Sequence, residues 1–166
     1  MEYLTELVRQ AKTGSAHAFA LLYKEIYQDL YRFALYTLGH PQDAEDAVSE
    51  AVTDAFSQIR SLKEAAAFKS WMFRILTAKC RRKLKLYVNR TAQLEDIIPT
   101  EERDWNEDLD VRKAFFSLSE EERLILSMNL FAGYTSQEIG NLLKLPPGTV
   151  RSKQSRALRK MAQQLS

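Results

Sequence analysis

The sequence contains one cysteine, two histidines, five glycines and four prolines in 166 residues, and each scarcity removes a class of explanation. Cys80 has no second thiol for a disulfide, and His17 and His40 are too isolated to complete a metal site with it, so no metal is expected. Long apolar runs are also missing. Nothing approaches the roughly 18 apolar residues that span a bilayer, and the opening stretch MEYLTELVRQ is amphipathic, so the expectation is a cytoplasmic chain without membrane insertion. No glycine-rich phosphate loop and no nucleophile with a paired base can be read, so neither an enzyme nor a cofactor is expected. Strict apolar-polar alternation is absent as well, whereas apolar positions recur at helical spacing almost throughout, which makes the expected fold all-α.

Apolar residues, at 45%, are plentiful enough for a packed core. The net charge of +2 averages over segments of opposite sign. Between residues 89 and 110 the acids Glu95, Asp96, Glu101, Glu102, Asp104, Glu107, Asp108 and Asp110 face only Arg90 and Arg103. That stretch, with Pro99 and few apolar residues, reads as an acidic linker between two small helical domains, 1–88 and 111–166. The second is basic, its excess gathered near the end in Arg151, Lys153, Arg156, Arg159 and Lys160.

In the first domain one helix runs from about Tyr3 to Lys12 and stops at Gly14. A second begins near Ser15, turns Phe19, Leu22, Tyr23, Ile26, Leu30, Phe33 and Ala34 inward, and breaks at Gly39-His40-Pro41. A third, from about Gln42 to Ile59, has an apolar stripe that includes Ala44, Val48, Ala51, Val52, Ala55 and Phe56. Opposite it Asp43, Asp46, Glu50 and Asp54 stack at spacings of three and four. A solvated face and a docking surface for a basic partner both fit that line of carboxylates. The fourth helix, AFKSWMFRILTAKCRRKLKLY, places Phe68, Trp71 and Phe73 before Lys79, Arg81, Arg82, Lys83 and Lys85. Rings stack on unpaired bases while basic chains follow phosphates, so the segment suits melted nucleic acid; a core helix with a solvated basic end is the alternative.

In the second domain Ser119 and Thr135 each precede a glutamate by three residues, Glu122 and Glu138, the pattern of a capping box. These fix two helix starts. The first helix carries Leu124, Ile125, Met128 and Leu130 and ends near Gly133; the second spans Ser136 to Lys144; Pro146-Pro147 then leads through Gly148-Thr149 into a last helix. There Val150, Ala157, Leu158, Met161 and Leu165 are expected to pack inward, which leaves Arg151, Ser152, Ser155, Arg156 and Arg159 outward with Lys153 beside them. Such a face fits the major groove of duplex DNA, and the two helices with their turn read as a helix-turn-helix.

The C-terminal stretch LSEEERLILSMNLFAGYTSQEIGNLLKLPPGTVRSKQSRALRKM resembles the fourth conserved region of the extracytoplasmic-function sigma factors of bacterial RNA polymerase. Upstream, FALLYKEIYQDLYRFALYTLG, DAEDAVSEAVTDAF and FKSWMFRI resemble the second region, in order. The resemblance implies that the chain binds core polymerase, directs initiation at promoters and is held by an anti-sigma factor. It implies contact of Asp43, Asp46 and Glu50 with the β′ clamp helices. It also implies contact of Phe68, Lys69, Trp71, Arg74, Lys79, Arg81 and Arg82 with the minus-ten element. The last domain would rest on the β flap and read the minus-thirty-five element through Thr149, Arg151, Ser152, Lys153, Ser155, Arg156 and Arg159. The chain departs from the pattern at Ala78 and Arg82, where asparagine and aspartate are frequent, and at Ser49, Gly140 and Lys144, where glutamine, alanine and glycine are usual. A left-handed backbone at Lys144 would cost about 1 kcal/mol relative to glycine. Two other readings remain: a sigma-like interaction protein that sequesters an anti-sigma factor, and a stand-alone helix-turn-helix regulator.

Overall fold

In a computed structural model of the chain, residues 2–88 and 109–165 are described, and the linker stretch between them lies outside the described residues. Helices α1 (Glu2–Lys12), α2 (Ala16–Leu38), α3 (Pro41–Gln58) and α4 (Phe68–Val88) form an N-terminal group, and 3₁₀ turns at Ile59–Ser61 and Ala65–Ala67 join α3 to α4. Helices α5 (Leu109–Phe116), α6 (Glu120–Leu130), α7 (Ser136–Leu143) and α8 (Pro147–Leu165) form the C-terminal group. No strand occurs among the described residues.

Local chemistry sets the helix ends. The Ser15 hydroxyl accepts from the Ala18 amide at 3.1 Å and opens α2; Gly39, at φ 82°, closes it with its amide on the Leu35 carbonyl. Pro41 then starts α3 in the first turn, where a missing N–H costs nothing. Both capping boxes form: Ser119 with Glu122 at α6, and Thr135 with Glu138 at α7.

The antiparallel α2, α3 and α4 bury Leu30, Phe33, Ala47, Ala51, Phe73 and Leu76, with α1 covering one side through Leu7, Val8 and Ala11. Cys80 lies fully inside this core, where burial pushes its thiol far above the ordinary range. The C-terminal group does not stand apart. Its Ile125, Met128, Tyr134, Ile139 and Val150 join the same core, while Tyr36 of α2 inserts its ring among Phe115, Phe116 and Phe131, at centroid distances of 4.7, 5.7 and 5.2 Å. Arg123, buried beside this ring cluster, donates to the Leu118 carbonyl at 2.9 Å and to the Thr37 carbonyl at 3.3 Å.

Three sequence expectations change. Helix α5 was not expected; its first turn takes in Leu109 and Asp110, assigned above to the linker, and two turns beside a run of acids are too short for periodicity to show. Leu158 and Leu165 are not inward but 53% and 46% exposed, because α8 is covered on one side only, along Val150 and Ala157. Leu130, at the last turn of α6, is likewise 58% exposed.

Two residues at the α7–α8 turn compensate one another. Lys144 takes the left-handed conformation, φ 60° and ψ 48°, and the chain doubles back so that the Leu145 amide reaches the Gly140 carbonyl at 2.9 Å. A Cβ at Gly140 would then sit 2.4 Å from the Leu145 carbonyl oxygen, which is main chain anchored ahead of two prolines. Alanine is the better helix former by about 1 kcal/mol, but the clash outweighs that gain. Gly140→Ala is expected to destabilise the protein by about 1–3 kcal/mol, and Lys144→Gly to stabilise it by up to about 1 kcal/mol. Urea midpoints at unchanged m-value measure both.

Glu122 is buried at the start of α6. Burial pushes its carboxyl up, but Lys160 at 2.9 Å and the Ser119 amide outweigh this and hold it below the ordinary carboxylate value. A depressed folded value means the contribution is present above the unfolded pKa and is lost as pH falls through the folded one. Urea titrations at neutral pH and at about pH 4 are expected to show the wild type losing more stability on acidification than Glu122→Gln.

Candidate nucleic-acid interface

The face of α8 is set by what holds the helix down. Val150 and Ala157 are buried, Lys153 pairs with Glu121 at 2.8 Å, and Lys160 reaches Glu122 at 2.9 Å, so both lysines clasp α8 to the N-terminal turn of α6. Gln154 meets the Ser136 hydroxyl at 3.4 Å on the start of α7. Arg151, Ser152, Ser155, Arg156 and Arg159 remain exposed and, with Gly148, line one shallow depression; Thr149 is half-buried beside it. Three guanidiniums and two hydroxyls on a single helical face, with no carboxylate lining it, form a donor array for guanine edges and phosphates. Lys153, grouped with these residues on sequence grounds, is turned toward α6 because its spacing places it over Glu121.

On α4 the packing sorts the candidates. Phe68 is 3% exposed and packs edge-on to Phe19 at 6.2 Å, so it is a core ring in this structure and cannot stack on a base. Lys79 binds Asp54 of α3 at 2.5 Å and is mostly covered. Arg81 donates to the Leu142 carbonyl at the end of α7, 3.2 Å away. Lys69 is exposed and pairs with Asp29 at 3.2 Å. Arg74 and Arg82 are exposed, with Trp71 half-buried on the same side. Lys85, named above in the basic run but not among the minus-ten contacts, lies three turns along α4 from Arg74 and is exposed on that face too; the signal for including it was the helical period carried to the end of the run. Ala78, also exposed, leaves a small side chain at the middle of the face.

The same antiparallel pairing divides the acidic line on α3. Asp54 holds Lys79, Glu50 faces Lys83 at 3.7 Å, and the Tyr87 hydroxyl donates to Asp43. Asp46 and Glu50 are exposed, Asp46 accepting from Gln42 at 3.3 Å, whereas Asp43 and Asp54 are half-buried against α4. The outward acidic surface is therefore centred on Asp46 and Glu50, with Ser49 and Thr53 between them and Asp54. Among the described residues no cluster of side chains suited to a metal ion occurs, and no helix is long and apolar enough to cross a membrane.

Two family models match the chain. Residues 22–90 match the model for sigma-70 region 2, and residues 114–163 match that for sigma-70 region 4. The chain is 29% identical over 163 residues to the ECF RNA polymerase sigma factor SigM of Mycobacterium tuberculosis, covering 96% of this chain and 83% of that protein. It is 27% identical over 143 residues to the RNA polymerase sigma factor SigV of Bacillus subtilis, covering 84% and 86%. Among solved structures, CnrH in complex with the cytosolic domain of CnrY gives a TM-score of 0.67 at 23% identity, covering 96% of this chain and 94% of that one. The sigma factor RpoE of Bartonella quintana, in complex with the anti-sigma factor NepR, gives 0.70 at 20% identity, covering 89% and 96%; both likenesses concern the fold.

Proposed function

The chain belongs to the sigma-70 family, in its extracytoplasmic-function group, and from that premise we propose that it is a cytoplasmic promoter-specificity subunit working by recognition rather than catalysis. It binds core RNA polymerase through Asp46 and Glu50 of α3, reads the minus-thirty-five element with Arg151, Ser152, Ser155, Arg156 and Arg159, and engages the melted minus-ten strand with Trp71, Arg74 and Arg82. The domains divide the work as 1–88 for polymerase and minus-ten binding and 111–166 for minus-thirty-five binding. An anti-sigma factor is the expected negative partner, since RpoE, a solved neighbour of this fold, is in complex with one.

The observation that carries the reading is the exposed donor face of α8 in the same chain as a basic-aromatic face on α4 and a carboxylate face on α3. A stand-alone regulator has need of the first alone. Two footholds relieve each of them of holding DNA unaided, because polymerase fixes their separation. Run-off transcription with purified core polymerase on genomic fragments is expected to give discrete start sites that depend on the protein. Failure to bind core under any ionic condition would overturn the proposal.

A further inference from the structure

Helices α3 and α4 are electrically opposite. Residues 41–58 hold five acids and no base, whereas residues 68–88 hold seven bases and no acid. Antiparallel packing turns this contrast into a ladder: Lys79 meets Asp54 at 2.5 Å, Lys83 faces Glu50 at 3.7 Å, and the Tyr87 hydroxyl donates to Asp43. On α4 the rungs recur at four-residue spacing, which keeps them on one face. They are not equally firm. Lys79 is mostly covered and lies at hydrogen-bonding distance from its carboxylate. Lys83 is mostly covered too, but its separation from Glu50 exceeds the roughly 2.7–2.9 Å of a charge-assisted hydrogen bond, and Glu50 is exposed. The middle rung is therefore open to competition from its acidic side.

The competitor has a defined chemistry. Glu50 and Asp46 form the outward acidic surface, and a partner complementary to it is basic. On the other side of the rung, Lys83 adjoins Arg82 and Lys85, both exposed and without a hydrogen bond or ion pair among the described residues. A lysine released beside them joins a track of cations for phosphates, its four-carbon stem long enough to swing toward the neighbouring side of the helix. We propose that Glu50 has two mutually exclusive partners, Lys83 within the chain and the basic surface on which α3 docks, so that docking releases Lys83 as a phosphate contact that the free chain withholds. Linkage makes the exchange reciprocal: a strand that takes Lys83 frees Glu50 and strengthens docking by the same factor. The identity of the docking partner rests on the function proposed above; the pairing of Glu50 with Lys83 is a property of the free chain.

One added phosphate contact on a single strand steepens the fall of log K with log salt by about 0.7, or about fivefold in affinity between 1 M and 0.1 M. Fluorescence anisotropy of the full chain against a labelled oligothymidylate of about 15 nucleotides reads this without polymerase. All proteins carry Arg151→Ala/Arg156→Ala, so that α8 contributes little. Adding Glu50→Gln is expected to tighten binding about fivefold at 0.1 M salt. Glu50→Gln/Lys83→Gln should lose that gain, and Glu50→Gln/Lys83→Arg should keep it. Glu45→Gln removes the same charge from an exposed position of α3 that has no partner on α4 among the described residues, and is expected to gain less than about twofold. An equal gain from Glu45→Gln, no gain from Glu50→Gln, or a gain that survives Lys83→Gln would overturn the release. A second arm uses the wild type, acetylated by an N-hydroxysuccinimide ester and read at Lys83 by mass spectrometry. Core polymerase is expected to raise the reactivity of Lys83 by up to about fivefold, the most that a pair of this kind holds back. Unchanged or lower reactivity in the complex would overturn the exchange. If the wild type never bound core, the sigma-factor reading would fail, while the oligothymidylate series still decided whether Glu50 withholds Lys83.

Discussion

Replacing Arg151 and Arg156 together by alanine is expected to abolish dependence on the minus-thirty-five element and to leave binding of core polymerase intact. Each guanidinium is exposed on the open face of α8 and makes no hydrogen bond or ion pair among the described residues, so both are free to place two parallel donors on a guanine edge. A good bidentate contact is worth about 1–3 kcal/mol against the wrong base. Two such losses, about 2–6 kcal/mol together, amount to a factor of roughly thirty to twenty thousand. Additivity is reasonable here because the two side chains share no partner. Exposed substitutions outside caps and ion pairs move stability by no more than about 0.5 kcal/mol, so an unchanged melting curve is expected as the control. The measurement is run-off transcription on paired templates with an intact and a scrambled minus-thirty-five element, alongside native-gel binding to core. The double variant should transcribe both templates equally and poorly. Parallel loss of core binding would contradict the assignment of α8 to DNA. Lys153→Ala makes an instructive contrast: it severs the tie to Glu121, so its effect should follow the stability of the α6–α8 pair rather than template sequence.

The features legible in the sequence are those governed by chemistry within a few residues. Ser119 and Thr135 announced their helices because a capping hydroxyl and a glutamate three positions on satisfy the amides of the same turn. Lys144 was legible only through the resemblance, in which glycine is usual at that place; the left-handed backbone found there is the reason a glycine suits it. What could not be read was the allocation of like residues among partners. Lys79, Arg81 and Arg82 are near neighbours in one basic run, yet the first is tied to Asp54, the second to the Leu142 carbonyl, and the third is left exposed. Only the antiparallel register of α3 against α4, and the docking of α7 beyond them, decides this. Phe68 and Trp71 divide in the same way, one into the core against Phe19 and one to its margin. Leu158 and Leu165 misled because helical spacing identifies a stripe without saying whether another helix lies over it.

Reversing the charge at Asp46 and Glu50 is expected to cost at least two orders of magnitude in affinity for core polymerase, with the fold unchanged. The pair is chosen by the structure, not by the motif alone. Asp43 and Asp54 belong to the same acidic line, but Tyr87 and Lys79 occupy them, so reversal there would push α3 away from α4 and confound folding with binding. Among the described residues Asp46, which is exposed, holds only Gln42, and Glu50 faces Lys83 at 3.7 Å, a partly exposed pair of the kind worth about 0–1 kcal/mol. Asp46→Lys with Glu50→Lys therefore turns an acidic surface basic at small internal cost. Against a basic partner surface, like-charge contact costs several kcal/mol, and about 2.8 kcal/mol already corresponds to a hundredfold. The interface being electrostatic and peripheral, wild-type affinity should also fall as salt shortens the screening length, and the reversed variant should show little of that dependence. Fluorescence anisotropy of labelled protein against core at two ionic strengths reads both effects. The α8 face is untouched by these changes, so binding to a minus-thirty-five duplex should persist unaltered. A stand-alone regulator predicts that nothing changes at all, and retained core binding by the reversed protein would remove α3 from the polymerase interface.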